Sequence, residues 1–453
     1  MNLPNYFLAD LPPEATLTPA LLAEAAMTLR RNRETYLLER STEQIVRVLV
    51  EVAENWMQPE NKFRRLAEEY GPQVLGFSAA TLRRGLDNFF KQLTRENFRA
   101  WLKQELGDER RLDELVASDA EVESGRAAIA SGPEFLVHIA AGNIPNAALM
   151  SIVTGFLTRS AQFVKCARGT TLLPRLFAHS IYEIDPKLAA CLEIAEWRGG
   201  DEHLEHVLFA AADWVTATGS NETLYAIRQR LPARAKFLGY GHRVSFGFIA
   251  NEVLTSFNAK KVVARAADDV VAWDQLGCLS PHVFYVQSGG AIAPDQFAEH
   301  LAAELVQREA IEPRGRVPAE VAATIASRRA IYEMRAAHSS ETRIWQSAET
   351  TAWTVVCEAD PQFPQSCLHR FIHIRPVADL EEVLRNADNV RGYVSTVGLA
   401  VPDHRVAEFA VRLARWGATR VCPLGQMQEP PLLWRHDGRP ALADLITWTD
   451  FES

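Results

Sequence analysis

Cys278 is the residue of this chain best placed to do chemistry of its own. It lies within residues 272–286, Ala-Trp-Asp-Gln-Leu-Gly-Cys-Leu-Ser-Pro-His-Val-Phe-Tyr-Val. Upstream, Ala264, Ala267, Val270 and Val271 recur at helical spacing while Asp268 and Asp269 face elsewhere. Gly277 is expected to break that helix, Ser280-Pro281 forbids its continuation, and residues 283–286 read as a buried strand. Cys278 then occupies a short helix-to-strand turn, where backbone N–H groups can point at a reacting oxygen. A thiol there can form a covalent acyl intermediate if its thiolate is favoured. The same stretch also reads as a small buried thiol filling a turn, since unpaired cysteine is among the most buried residue types.

The elements around it must position such a group. Residues 1–130 read as amphipathic helices, with Leu21, Leu22, Ala25 and Met27 and then Ile45, Val46, Leu49 and Val52 as apolar stripes. From Pro133 the texture changes to strands alternating with helices, with candidate strands at 135–140, 161–165, 192–197, 214–218 and 235–238. That alternation predicts a doubly wound, mostly parallel sheet, whose ligands bind at the carboxyl ends of the strands. Those ends carry Gly142-Asn143-Ile144-Pro145, Lys165-Cys166-Ala167-Arg168-Gly169-Thr170 and Thr218-Gly219-Ser220-Asn221-Glu222. The last opens a helix whose N–H groups would favour a pyrophosphate, although a plain helix cap accounts for Ser220-Asn221 as well. No G-x-G-x-x-G fingerprint is present.

After Gly239-Tyr240-Gly241-His242 a second half begins. It reads as the Cys278 turn, two long helices near 294–308 and 317–337, strands near 353–358, 371–375 and 393–401, a helix at 403–415 and a strand at 419–421. The tail from Cys422 reads as an ordered irregular arm. The expected division is a helical N-terminal region (1–130), a first α/β domain (131–240), a second carrying Cys278 (241–418) and a C-terminal arm (419–453).

The bulk numbers set limits. At 453 residues two or more domains are expected. A net charge of −9 argues against nucleic acid or an anionic membrane as main partner. Six cysteines without a C-x-x-C pair fit a reducing cytoplasm, and the N-terminus lacks the pattern of a signal peptide. Residues 135–158 carry no charge and could span a bilayer by length. Their polar centre instead predicts strand, turn and helix within a soluble core. No metal site is expected. His203 and His206 lack a third ligand at a known spacing, and their segment reads as a solvated polar face. His369 and His373, read as one strand, would stand roughly 13 Å apart.

Taken together, these strand ends and the cysteine turn resemble the aldehyde dehydrogenase superfamily, and within it the LuxC-type fatty acyl-CoA reductases. The superfamily's W-N-F-P turn is similar to Gly142-Asn143-Ile144-Pro145, its V-x-K-P-[SA]-E strand end to Val164-Lys165-Cys166-Ala167-Arg168, its F-T-G-S helix start to Ala217-Thr218-Gly219-Ser220, and its cysteine turn to Leu276-Gly277-Cys278. Order and spacing agree along roughly residues 133–425. The resemblance implies an aldehyde-dehydrogenase-like α/β fold with two doubly wound domains, one for the cofactor and one for catalysis. It implies Cys278 as nucleophile and Asn143 as oxyanion donor, with Lys165, Arg168, Gly219, Ser220 and Gly241 at the nucleotide. His242 could assist the thiol or protonate the aldehyde oxygen, or serve in packing.

Two departures matter. The superfamily's L-E-L-G-G segment carries a general-base Glu, and Phe237-Leu238-Gly239-Tyr240-Gly241-His242 has no carboxylate. That points away from hydrolysis of an acyl-enzyme and toward thiol exchange or reduction. Arg168 stands where an acidic residue usually meets the adenosine ribose, so Lys165 and Arg168 would welcome a 2′-phosphate and NADPH is the expected cofactor. The superfamily's E-x-F-G-P motif has no clear counterpart near residues 361–366. The implied activity is reduction of a fatty acyl-CoA, or of an acyl thioester on a partner protein, to an aldehyde. The same chemistry serves a CoA-acylating aldehyde dehydrogenase of smaller aldehydes, and a non-catalytic subunit of a fatty-acid reductase complex is a third reading. Acyl-transferring or acyl-activating partner proteins and a homo-oligomer are further expectations from the resemblance.

Overall fold

The computed structural model describes residues 3–12 and 14–452. In chain order its strands are β1 (Arg126–Ser131), β2 (Phe135–Ile139), β3 (Ala161–Cys166), β4 (Leu192–Glu196), β5 (Trp214–Thr218), β6 (Lys236–Tyr240) and β7 (Val244–Ile249). They continue as β8 (Pro281–Gln287), β9 (Thr342–Gln346), β10 (Thr354–Glu358), β11 (Phe371–Val377), β12 (Val394–Ala400), β13 (Arg420–Pro423) and β14 (Thr447–Glu452). By internal contacts the chain forms two compact units, one of residues 1–75, 86–241 and 431–453, the other of 76–85 and 242–430. Neither unit is continuous in sequence. The arm read as 419–453 is therefore divided, its first residues belonging with the second unit and the rest with the first.

The first unit holds a five-stranded sheet in the order β4-β3-β2-β5-β6, all parallel. Phe135, Leu136 and Val137 of β2 are all buried, as a strand covered on both faces requires. The helix Thr42–Met57 begins at a reciprocal cap, Ser41 Oγ accepting from Gln44 N–H at 3.3 Å while Ser41 N–H donates to Gln44 Oε1 at 3.0 Å. Its Trp56 stacks on Phe90 at 4.8 Å and donates to Ser180 Oγ at 2.9 Å, joining the N-terminal helices to the helix Leu172–Ile184. Residues 135–158 fold as β2, a turn and the helix Asn146–Leu157. Among the described residues no helix is long and apolar enough to cross a membrane.

The region 1–130 is not wholly helical. Its end is β1, which pairs antiparallel with β14 of the tail from Arg126↔Glu452 to Ser131↔Thr447. The irregular arm thus contains a strand that sequence reasoning missed. In the 201–206 segment Asp201, Glu202, His203 and His206 are exposed, and Glu205 alone of its polar residues departs from a solvated face. Glu205 is buried, accepts from Gly200 N–H at 2.9 Å and pairs with Arg230 at 2.5 Å.

The second unit holds a seven-stranded sheet, β13-β12-β7-β8-β11-β10-β9, parallel except for β9 at the edge. β7 is buried at all six positions. A Cβ at Gly247 would come within 2.5 Å of Phe284, so the close approach of β7 and β8 requires glycine there. His369 precedes β11 in left-handed backbone (φ 56°), so it and His373 do not share a strand.

Candidate active site

The helix before Cys278 ends at Val271, six residues earlier than Gly277, and a single 3₁₀ turn, Ala272–Gln275, follows. What ends it is a run of three left-handed residues, Trp273 (φ 52°), Asp274 (φ 50°) and Gln275 (φ 65°). Non-glycine residues enter this region at a cost of about 1–3 kcal/mol each, so the surroundings must hold them there. Each has an anchor. The Trp273 ring lies over Gly85, where any Cβ would collide with it, and edge-on to Phe77 at 5.1 Å. Asp274 pairs with the fully buried Arg370 at 2.7 Å and accepts from Gly315 N–H at 3.0 Å. Gln275 donates to the carbonyls of Pro281 at 2.7 Å and Phe371 at 3.0 Å. Burial pushes the Asp274 carboxyl up, and Arg370 opposes that shift.

Cys278 follows in a tight turn closed by Ser280 N–H on the Gly277 carbonyl at 2.9 Å. The thiol is half-buried, and the Cys278 carbonyl accepts from Ser245 Oγ at 2.8 Å. This turn leads into the amino end of β8, opposite to the carboxyl-end rule that guides the search in the five-stranded sheet. The other five cysteines sit in surroundings that oppose ionisation. Burial pushes Cys166, Cys191, Cys357 and Cys422 up to about 12 and Cys367 up to about 11. Among them they leave no second candidate thiolate.

His242 is exposed just before β7. His282, buried in β8, is brought down to about 4 by burial first and then by the charge of His242. His282 Nδ1 accepts from Ser366 N–H at 3.1 Å, which leaves the proton of the neutral ring on Nε2. Asp269, expected to face away from the apolar stripe, is 1% exposed. Its two oxygens accept from Gly425 N–H at 2.6 Å and Met427 N–H at 2.8 Å.

In the first unit the five strand ends carry the remaining candidates. Asn143 is exposed in the loop between β2 and the helix Asn146–Leu157. Lys165 is buried, 5% exposed, with Nζ 5.6 Å from the Trp197 ring centroid, so it is not a solvated strand-end lysine. Burial lowers its pKa, and Glu205, Cys166 and Glu196 pull it back up. Arg168 is exposed in the loop after β3. That loop is tied to β4 by Glu196, which accepts from Gly169 N–H at 3.1 Å and Thr171 Oγ at 3.2 Å. Ser220 caps the helix Asn221–Arg230 through Thr223 N–H at 3.3 Å, and Gly219 N–H donates to the Tyr240 carbonyl at 3.1 Å. A Cβ on Gly241 would collide with Asn221.

These ends fit a nucleotide. Every strand of the five-stranded sheet runs into a glycine-bearing loop, at Gly142, Gly169, Gly199, Gly219 and Gly241. Gly169 (φ +78°) and Gly200 (φ +91°) have open space where a Cβ would stand, so backbone there can approach a ligand closely. Lys165 supplies a buried cation beside them. Among the described residues no cluster of three metal-ligating side chains is present.

The family model described as acyl-CoA reductase (LuxC) matches residues 37–448. The chain belongs to the LuxC family. The long-chain acyl-protein thioester reductase of Photorhabdus laumondii is 23% identical over 416 residues, covering 90% of this chain and 82% of that protein. Long-chain acyl-protein thioester reductase 2 of Photobacterium leiognathi is 22% identical over 322 residues, 70% of this chain. That match spans 63% of the relative, less than two thirds of its length. Among solved structures, an NAD-dependent benzaldehyde dehydrogenase from Corynebacterium glutamicum superposes with a TM-score of 0.70 at 13% identity, covering 99% of this chain and 93% of that one. A 3,6-anhydro-L-galactose dehydrogenase in complex with NAP (NADP) has a TM-score of 0.66 at 14% identity, covering 96% and 91%. The fold is thus aldehyde-dehydrogenase-like, an α/β fold with parallel sheets and a helical N-terminal region.

For this LuxC-family chain the two units divide the candidates, Cys278 and His242 in the second, Asn143, Lys165, Arg168, Gly219, Ser220 and Gly241 in the first. Sequence reasoning passed over Ser245 and Glu196. Ser245 lies in β7, Val-Ser-Phe-Gly-Phe-Ile, a strand that sequence reasoning did not place although Val244, Phe246 and Phe248 alternate there with Ser245 and Gly247. Glu196 was legible only as the last residue of a strand.

Proposed function

We propose that the protein reduces an acyl thioester to an aldehyde through an acyl-cysteine on Cys278. The donor is a fatty acyl-CoA or, as the names of the relatives suggest, a long-chain acyl group on a partner protein of the acyl-transferring or acyl-activating kind. The carrying observation is the Cys278 turn, a half-buried thiol clamped between anchored residues while burial opposes ionisation of the other five cysteines. The Cys278 thiolate bonds to the thioester carbonyl carbon, the carrier's C–S bond breaks, and the carrier leaves as a thiolate that takes a proton from solvent. When bound, a reduced nicotinamide nucleotide supplies the hydride that converts acyl-cysteine to thiohemiacetal. Collapse then frees the aldehyde and restores the Cys278 thiolate.

Both tetrahedral species on Cys278 carry an oxyanion, for which the Cys278 backbone N–H is one donor. Asn143 takes the second donor role by the motif it occupies, and its loss is expected to cost roughly 10²–10³ in rate. His242, before β7, is the candidate group to lend a proton to the thiohemiacetal oxygen and to take it back as collapse frees the aldehyde. No carboxylate in residues 237–242 activates a water against the acyl-cysteine, which favours reduction over hydrolysis. Lys165 and Arg168 favour NADPH, with Gly219, Ser220 and Gly241 on the same nucleotide. A cytoplasmic setting fits six thiols and no disulfide.

Cys278→Ser tests the reading. The side chains differ little in size, so the variant is expected to fold, to form no aldehyde and to take no label from radiolabelled acyl-CoA. Serine has no useful ionisation near neutral pH. Stable labelling of the serine variant on another cysteine would show that this turn does not carry the nucleophile.

A further inference from the structure

Four residues lie in register across the seven-stranded sheet. Arg420 of β13 faces Thr396 of β12, Thr396 faces Ser245 of β7, and Ser245 faces Pro281 of β8. A hydrogen-bonded path follows this row. Arg420 Nη1 donates to Thr396 Oγ1 at 3.5 Å, Thr396 N–H donates to Ser245 Oγ at 3.1 Å, and the Ser245 hydroxyl donates to the Cys278 carbonyl at 2.8 Å. Both ladders shift register at Ser245, skipping Ser395 on β12 and His282 on β8. Bulges of this kind re-aim neighbouring groups and recur beside active sites.

The guanidinium is fixed independently of that path. Arg420 Nη1 and Nη2 donate to the carbonyls of Met427 at 2.6 Å and Gln426 at 2.9 Å, in the loop that Asp269 holds through Gly425 and Met427 N–H. Burial lowers the Arg420 pKa, and the anionic forms of Cys422, Asp269 and Cys278 raise it. Of the other two, Cys422 stays neutral because burial pushes it up to about 12, whereas Asp269, pushed up to about 7, is about half ionised at neutrality and already engaged by Gly425 and Met427 N–H.

We propose that Arg420 is a positioning residue that stabilises Cys278 as its thiolate, a task that residues 237–242, lacking a carboxylate base, leave unfilled. This rests on the reading of Cys278 as the acylated nucleophile. The Cys278 proton goes to solvent. Arginine stays protonated throughout and acts only on that equilibrium.

The test is the rate of Cys278 alkylation by iodoacetamide in the full chain, from about pH 5.5 to about pH 10, with the modified residue located by mass spectrometry. Sγ–C bond formation expels iodide, so the rate reports the thiolate fraction. Wild type is expected to show an apparent pKa below the ~8.5 of an ordinary cysteine. Arg420→Gln should raise it by about one unit and slow alkylation at pH 7 roughly tenfold, while Arg420→Lys should stay nearer wild type. Equal apparent pKa values in wild type and Arg420→Gln overturn the proposal. So does a wild-type value at or above ~8.5, which decides the matter even if Arg420→Gln does not fold. Acyl labelling run in parallel separates the two failures. Label on a different cysteine removes the nucleophile reading, whereas label on Cys278 with an unmoved pKa removes only the role of Arg420.

Discussion

Lys165 and Arg168 lie three residues apart yet differ in every property that governs their strength as cation sites. Lys165 is buried beside Trp197, whereas Arg168 is exposed and salt screens it. Glu196 complicates the pair, because its carboxylate ties down the Gly169–Thr171 loop and would repel a phosphate placed there unless Arg168 offset it. A charge-assisted hydrogen bond contributes roughly 1.5–3 kcal/mol when desolvated, and exposure places Arg168 at or below the lower end. NADPH is therefore expected to bind about tenfold more tightly than NADH. Arg168→Glu should abolish or invert that preference, with acyl-cysteine formation nearly unchanged. Titrating both nucleotides against wild type and variant decides it, and equal wild-type affinities would remove the NADP assignment while leaving Cys278 untouched. Lys165 was legible as a strand-end cation, but its burial was not, because Trp197 reaches it from just past the end of the neighbouring strand β4.

At the scale of elements, the Cys278 turn depends on two short left-handed runs meeting. Trp273, Asp274 and Gln275 form one, and Leu368, His369 and Arg370 (φ 63°, 56° and 66°) form the other. Arg370 joins them through Asp274 and also donates to Glu309 and to the Glu312 carbonyl, both at 2.9 Å. Removing one partner of a buried pair leaves an uncompensated charge, so Arg370→Met should destabilise the second unit by about 3–5 kcal/mol. Releasing the strained run should also slow acylation of Cys278 under conditions where the unit stays folded. Urea unfolding and single-turnover labelling check the two effects, and an unfolding midpoint equal to wild type would refute the clamp. None of this strain is written in local propensity. The helix period, the Ser280-Pro281 stop and the apolar β8 placed a turn at Cys278 correctly, but Gly277 drew attention as the breaker because glycine is the usual left-handed residue. The run that ends the helix is made by non-glycine residues held by partners distant in sequence. β14 escaped notice for a related reason, being an exposed strand whose partner β1 lies far back along the chain.

At the scale of the whole molecule, Asp10 of the first unit and Asp269 of the second are buried carboxyl groups in opposite circumstances, and their own contributions to stability should follow pH with opposite signs, while burial also raises Glu193 of the first unit, to about 8. The division itself was only half legible. The change of texture at Gly241 lies on a unit boundary, but the assignment of 76–85 to the second unit and 431–453 to the first depends on tertiary contacts that no local pattern reports. In the first unit, burial tends to raise Asp10, but hydrogen bonds from His179, Phe7 N–H and Arg175 outweigh it and hold the carboxyl below its ordinary value. A depressed folded pKa contributes stability that is present above the unfolded value of about 4 and is lost as pH falls through the folded one. In the second unit, burial drives Asp269 up to about 7 against the pull of Gly425 and Met427 N–H. A raised carboxyl pKa has the opposite sign. The folded state keeps a proton that the unfolded chain releases above about pH 4, so this contribution is full below that pH and fades as pH rises through about 7. Asp269→Asn cannot ionise, and its amide can accept only one of the two N–H groups. It should lower the second unit's stability by about 1–3 kcal/mol at acid pH and flatten its pH dependence between about 4 and 7. Hydrogen exchange read separately from peptides of each unit resolves this, since an unfolding trace of the whole chain would mix the two slopes. A second-unit slope in Asp269→Asn equal to that of wild type would show that Asp269 is not the group that titrates.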